Sequence, residues 1–186
     1  MIGWIGSKNE MAWVYPYVQI QKAKIVEEVR TQMTRAEAHR RQEGVAIRRI
    51  EGDAEFDAAF ELWLSVNLEA HSFVDAKYWR GVAGYVAEAI RGATLFGAFE
   101  GTRLVGFVGV VAERIEGLFV RADRRGEGIG SALLAKALEG ARRMELSVYC
   151  QNERATAFYR RRGFVEEAQR VDSATGEREW TMRWER

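Results

Sequence analysis

Three glycines at positions 126, 128 and 130 sit inside the run GLFVRADRRGEGIGSALL, residues 117–134, and constrain the chain more than any other stretch. An apolar segment leads in, a helical pattern leads out, and glycine permits the tight reversal between them. The first N–H groups of a helix have no partner within it, and the helix dipole adds partial positive charge there. With no Cβ in the way, that backbone can close on an anion, so a strand–glycine loop–helix unit with affinity for phosphate is expected. Spacing separates the known versions of this device. The pattern G-x4-G-K-[ST] needs a lysine after a glycine, and none follows in this loop. The pattern G-x-G-x-x-G counted from Gly126 ends on Ser131. What remains is Arg125-x-x-Gly128-x-Gly130.

Around this unit the chain alternates strand and helix signals. Val45–Ile50 reads as a strand. Residues 54–70 read as a helix with Phe56, Phe60, Trp63 and Leu64 on its apolar side and Asp53 as N-cap. A second helix runs from its cap at Asp75 through Ile90 and closes at Gly92. Strands follow at 93–100, 103–112 and 114–121, the first two joined by the turn Glu100-Gly101-Thr102. The helix after the glycine loop places Ile129, Leu133, Leu134, Ala137 and Leu138 on one face. A strand at 144–150, a helix at 152–162 and strands at 163–171 and 177–185 complete the series. The mixture predicts an α/β or α+β layer fold around a central sheet. Upstream, residues 1–18 are aromatic and irregular, and Gln19–Glu43 is helical in pattern, with Ile25, Val29, Met33 and Ala36 on one stripe and Gly44 as its stop. Residues 1–44 are therefore expected to be an N-terminal extension of no assigned role, and 45–186 the compact domain.

Composition narrows the function classes. The 28 Lys and Arg residues against 27 Asp and Glu leave a net charge of +1, which gives no footprint for nucleic acid or an anionic membrane. Apolar runs such as Leu104–Ala112 are too short to span a bilayer. The start of the chain lacks the pattern of a secretory signal, and a single cysteine, Cys150, rules out an internal disulfide; both fit a cytoplasmic protein. His39, His71 and one cysteine offer no zinc spacing, so no metal is expected.

The segment LFVRADRRGEGIGSALL resembles the acetyl-CoA segment [RQ]-x-x-G-x-[GA] of the GNAT N-acetyltransferases, including the L-x-V pattern before the loop. Downstream, LSVYCQNERATAFYRRRGF is similar to the same family's strand followed by N-x2-A-x2-[FL]-Y-x3-G-F. The resemblance runs from Ile47 to the C-terminus, closing on TGEREWTMRW. It implies a mixed, mostly antiparallel sheet flanked by helices, with acetyl-CoA as cosubstrate. It also implies that the backbone of Arg125, Gly126, Glu127, Gly128, Ile129, Gly130 and Ser131 cradles the CoA pyrophosphate. The main chain of Leu118, Phe119 and Val120 would pair with pantetheine like an added strand. Asn152 would contact the pantetheine region, and Tyr159 would aim its hydroxyl at the thioester sulfur. Seven residues apart, these two share a helix face about 10 Å apart along the axis. Asn152 is equally suited to be a helix N-cap.

Acetyl transfer to an amine needs a neutral nucleophile, a polarised carbonyl and a protonated leaving thiol. A lysine amine, with a pKa of about 10.4, must lose a proton to a base, and Glu116 and His71 are the candidates. Family members acting on protein N-termini often carry a glutamate five residues before the position of Asn152; here that position is Ser147. The run LWLSVNLEAHSFVDAKYW resembles a bacterial branch with W-L-x2-N-x2-A-H-x-F followed by Y-W, some of whose members acetylate protein lysines. Trp63, Asn67, His71, Phe73 and Trp79 are the expected acceptor-side residues. The acceptor is expected to be a small-molecule amine or a protein lysine, and the protein a monomer or homodimer. The competing reading is a catalytically inactive CoA-binding sensor, against which an intact Tyr159 argues. A toxin acting on aminoacyl-tRNA would call for a basic face that the charge balance lacks.

Overall fold

The computed structural model describes residues 44–186; the helix expected over 19–43 and the aromatic start lie outside them. The chain runs β1 (Val45–Arg49), α1 (Asp53–Ala70), α2 (Ala76–Gly81), α3 (Ala83–Gly92), β2 (Thr94–Glu100), β3 (Arg103–Val111) and β4 (Arg114–Val120). It continues through a short 3₁₀ turn to α4 (Ile129–Leu138), β5 (Arg143–Tyr149), α5 (Glu153–Arg160), β6 (Val165–Val171) and β7 (Arg178–Glu185). The strands form one sheet in the order β1-β2-β3-β4-β5-β7-β6, antiparallel at every junction except β4–β5.

Two apolar cores lie against this sheet. One gathers Ile129, Leu133 and Leu134 of α4, Tyr159 of α5, Phe164, and the facing residues Val105, Val108, Leu146 and Met182. The other gathers Leu62, Trp63 and Val66 of α1 and Trp79 and Ile90 of the next two helices, against Leu95, Phe99, Leu104 and Phe107. Covered on both sides, β3 is buried without interruption from Leu104 to Gly109 and β2 has no exposed residue, which is why their sequences read as apolar runs rather than alternations. Burial of one such leucine or isoleucine stabilises by about 1.5–3 kcal/mol. In contrast, β5 alternates buried and half-buried residues, and β6 lies at the edge of the sheet, mostly exposed.

Between β4 and β5 the sheet splits. Their parallel pairing covers only Arg114↔Glu145 and Ile115↔Leu146. At the same place β3 pairs Gly109 with Gly117 and Val110 with Ile115, leaving Glu116 as an extra residue in β4. Such a bulge bends its strand, and here the bend carries the end of β4 away from β5.

Two local expectations are corrected. Gly52, at φ 76°, takes the N-cap position of α1, and Asp53 is its first helical residue, with no side-chain cap. The helix expected from Asp75 through Ile90 is two helices: Asp75 caps α2 by accepting from Lys77 N–H at 2.8 Å, and the axis breaks at Val82. Gly81 and Gly84 flank that break, and both weaken a helix interior. Among the described residues no helix is long and apolar enough to cross a membrane.

Candidate active site

The splay between β4 and β5 opens a cavity of about 400 Å³. From the sequence-predicted set it is lined by Leu118, Val120, Arg125, Gly126, Gly128, Gly130, Ser131, Asn152 and Tyr159. The glycine loop forms its mouth. Gly128, the N-cap of α4, has φ 85°, and its carbonyl accepts from Ser131 N–H at 2.9 Å and Ala132 N–H at 3.0 Å. Gly126 shares the left-handed geometry at φ 84°. Loop position is fixed by Arg124, itself part of the cavity wall, which pairs with Glu127 at 2.8 Å and with Glu100.

The three remaining loop and strand candidates do not line the cavity. Ile129 is 1 % exposed and anchors α4 in the core. Glu127 is held by Arg124. Phe119 points to the other side of the sheet, its ring 4.9 Å from that of Phe107. Any ligand contact from these three is through backbone. Along β4, Arg121 N–H bonds Val105 O across β3 at 3.0 Å. Strand alternation therefore turns the backbone groups of Leu118 and Val120 the opposite way, toward the splay. Val120 O there accepts from Arg125 Nε at 3.1 Å.

Tyr159 is buried, and burial pushes its hydroxyl well above the ordinary phenol range. Its hydroxyl has no hydrogen-bond partner among the described residues. Trp79 Nε1 is the one fully sealed side-chain nitrogen or oxygen there without a partner, so the Tyr159 hydroxyl keeps access to the cavity it lines.

Asn152 does two things at once. Its Oδ1 accepts from Ala155 N–H at 3.1 Å and so caps α5, and its Nδ2 faces His71 Nε2 at 3.1 Å. His71 Nδ1 lies 2.9 Å from Asn67 Oδ1, and Asn67 Nδ2 donates to Trp63 O at 2.8 Å. A backbone anchor on each side fixes both amide orientations. One assignment satisfies every contact: neutral imidazole with its proton on Nδ1 and its Nε2 lone pair turned to Asn152. Burial also pushes His71 down to about 4. With both nitrogens engaged, His71 has no lone pair to offer an amine, which corrects its expected use as a base.

The acceptor-side candidates divide. Trp63, Asn67 and Trp79 are buried beneath the surface, so they support the wall rather than line it. His71 and Phe73 are half-buried, in edge contact with Tyr149 at ring separations of 5.2 and 5.6 Å. Glu116, the bulge residue, is half-exposed, with Arg114 Nε 3.5 Å from its Oε1. Ser147 is taken up by Arg114 at 2.8 Å and Glu179 at 3.3 Å. Cys150 is a free thiol, contacted by Gln169 Nε2.

Several residues of the cavity carry no sequence motif of their own. Val66 and Ala70 bring the end of α1 to its wall, and Phe158 adds an aromatic face. Arg154, Arg161 and Arg162 add cationic groups. Arg162 is occupied by Ser131 Oγ and lies 3.9 Å over the Phe158 ring. The arginine-rich stretch RRR at 160–162 was the available signal for this charge.

Comparison with known proteins places these features in a wider set. Residues 46–164 match the acetyltransferase (GNAT) family. The peptidyl-lysine N-acetyltransferase YjaB of Escherichia coli K12 is 32 % identical over 104 residues, covering 55 % of this chain and 71 % of that protein. The solution structure of apo YjaB from Escherichia coli superposes with a TM-score of 0.67 at 26 % identity, over 75 % of this chain and 97 % of that one. Spermidine N-acetyltransferase from Vibrio cholerae, in complex with CoA and spermine, has the same fold, with a TM-score of 0.57 at 17 % identity over 77 % of this chain and 96 % of that one.

Proposed function

The chain belongs to the acetyltransferase (GNAT) family, and from that membership we propose that it carries an acetyl group from acetyl-CoA directly to a primary amine. The acceptor is a protein lysine or a small-molecule amine. The similarity to YjaB, a peptidyl-lysine N-acetyltransferase by name, favours lysine. Residues 45–186 are the catalytic domain in this reading, and the cytoplasm its place of action.

One observation carries the reading: a single cavity joins the glycine loop, the open edge of β4 and the unbonded Tyr159 hydroxyl. The residues present fit acetyl-CoA. Arg154 and Arg161 have no hydrogen bond or ion pair from their guanidinium groups among the described residues, and they supply charge for phosphates. Loop N–H groups before Ile129 receive the pyrophosphate. Leu118 and Val120 offer backbone donors and acceptors to the pantetheine amides. The thioester supplies an activated acetyl group.

At the inner end, the amine nitrogen bonds to the acetyl carbon, the C–S bond breaks, and the sulfur takes the Tyr159 proton. Burial keeps that hydroxyl protonated through the neutral range, so it arrives at the reaction as a donor. A backbone N–H of β4 receives the carbonyl oxygen as negative charge grows on it. Glu116 takes the amine's proton through water. His71 orders Asn152 and takes no proton.

Calorimetry with CoA on the full-length protein tests the binding half. Turnover with Tyr159→Phe tests the chemistry: kcat should fall by about 10²–10⁴ while acetyl-CoA binding holds. No heat on CoA addition, or an unchanged kcat in that variant, would overturn the proposal.

A further inference from the structure

The end of α1 is tied to both lips of the cleft. On the lip that follows β4, Glu69 grips the Arg125 guanidinium in two parallel bonds, Nη1 to Oε1 at 2.6 Å and Nη2 to Oε2 at 3.0 Å. On the lip that follows β5, His71 holds Asn152, the cap of α5, through Nε2. The two ties leave the helix two residues apart. Past Ile115↔Leu146 no ladder joins β4 to β5, so the sheet itself does not set how far apart the glycine loop and the start of α5 stand. A direct tie joins the two sides at the far end of α5, where Arg162 bonds Ser131 Oγ; at the start of α5 the link runs through a third element bonded to each side.

We propose that the C-terminal turn of α1 is a brace that sets the width of the cleft, with Glu69 and His71 as positioning residues for the glycine loop and for Asn152. The Glu69–Arg125 pair is two-pronged, the arrangement that fixes orientation as well as distance. The His71 link depends on one tautomer. Asn67 demands a proton on Nδ1, and the Asn152 amide demands the bare Nε2. Turning the Asn152 amide over to suit any other state would aim its NH2 at Ala155 N–H and uncap α5. The brace therefore joins cap geometry and ring tautomer in one chain of contacts from Trp63 O to Ala155 N, and holds loop position through the separate Glu69–Arg125 pair. Its consequence for acetyl-CoA rests on the function proposed above; the brace itself does not.

The test uses the full-length protein and the variants Glu69→Ala, His71→Leu and His71→Gln. The Glu69 side chain is 49 % exposed, so its truncation leaves the cores intact. Residue-resolved hydrogen exchange is read without ligand at Ser131 and Ala132 on one lip and Ala155 and Thr156 on the other. Glu69→Ala should speed exchange about tenfold at the first pair, and His71→Leu at the second. His71→Gln keeps an acceptor for the Asn152 amide and should exchange as the parent does. Long-range ¹H–¹⁵N spectra should show His71 protonated on Nδ1. Calorimetry should show CoA bound about tenfold more weakly by Glu69→Ala and His71→Leu and unchanged by His71→Gln. Unchanged exchange in Glu69→Ala and His71→Leu, a proton on Nε2, or His71→Gln behaving as His71→Leu would overturn the brace. If the parent protein takes up no CoA, the acetyl-CoA reading falls, and the exchange pattern still decides this one.

Discussion

Gly128 and Gly130 stand two positions apart and are glycine for different reasons. At φ 85°, Gly128 occupies backbone space that a side chain disfavours by about 1–2 kcal/mol. Gly130 is ordinary helix; a Cβ there would meet the Phe158 ring at 3.4 Å and Leu118 at 3.6 Å, close to normal contact. Gly128→Ala should therefore lower the unfolding free energy by about 1–2 kcal/mol and weaken CoA binding with it. Gly130→Ala should raise stability by about 0.5–1 kcal/mol through helix propensity and keep CoA, as the alternative alanine in the resembled motif allows. Gly130→Leu should fold and yet lose CoA, because its side chain enters the cavity. Urea unfolding beside calorimetry separates the three. A Gly130→Leu protein that binds CoA like the parent would move the diphosphate away from this loop. Motif spacing made these glycines and Tyr159 legible, since both patterns are local. Glu69 was not legible: its partner is Arg125, 56 residues along, and nothing in LWLSVNLEA marks that carboxylate from its neighbours.

At the scale of elements, strands and helices were legible as units and their irregularities were not. Every predicted strand from Val45 to Glu185 has its counterpart; alternation and apolar runs report burial directly in β2 to β5, whereas the exposed edge strand β6 carries no such burial signal. The bulge at Glu116 left no trace, since inserting one residue changes pairing and not composition. The break at Val82 was hidden for a related reason: Trp79 and Ile90 both reach the core, so the apolar spacing reads straight through it. The α1–α5 link through His71 has a pH signature. Burial holds the folded imidazole at about 4 against 6.5 for an ordinary histidine. Between these values the unfolded chain binds a proton that the folded chain refuses, so stability is full above 6.5 and declines as pH falls toward 4. The difference in urea midpoint between the parent and His71→Gln should be constant above pH 7 and shift against the parent below 6.5. A difference flat across that range would mean that the imidazole takes protons as freely folded as unfolded.

Across the whole molecule, a net charge of +1 gives no long-range pull on a polyanion. Sequence-level charge thus excluded nucleic acid as an expected partner and was silent on where an anion would be held, because an average over 186 residues hides a local cluster. The cavity shows that cluster. Arg124 and Arg125 are spent on Glu100, Glu127 and Glu69, while the guanidinium groups of Arg154 and Arg161 line the space without ionic partners among the described residues. If those arginines receive the phosphates of CoA, attraction must be short-ranged and screenable. Raising salt from 0.1 to 1 M shortens the screening length from about 10 Å to about 3 Å. CoA should then bind several-fold more weakly, whereas pantetheine, which keeps the β4 contacts and lacks phosphates, should bind alike at both. Arg154→Gln combined with Arg161→Gln should flatten the response to CoA and leave pantetheine untouched. Equal salt dependence for the two ligands, measured by calorimetry on the same protein, would remove these side chains from the anion site.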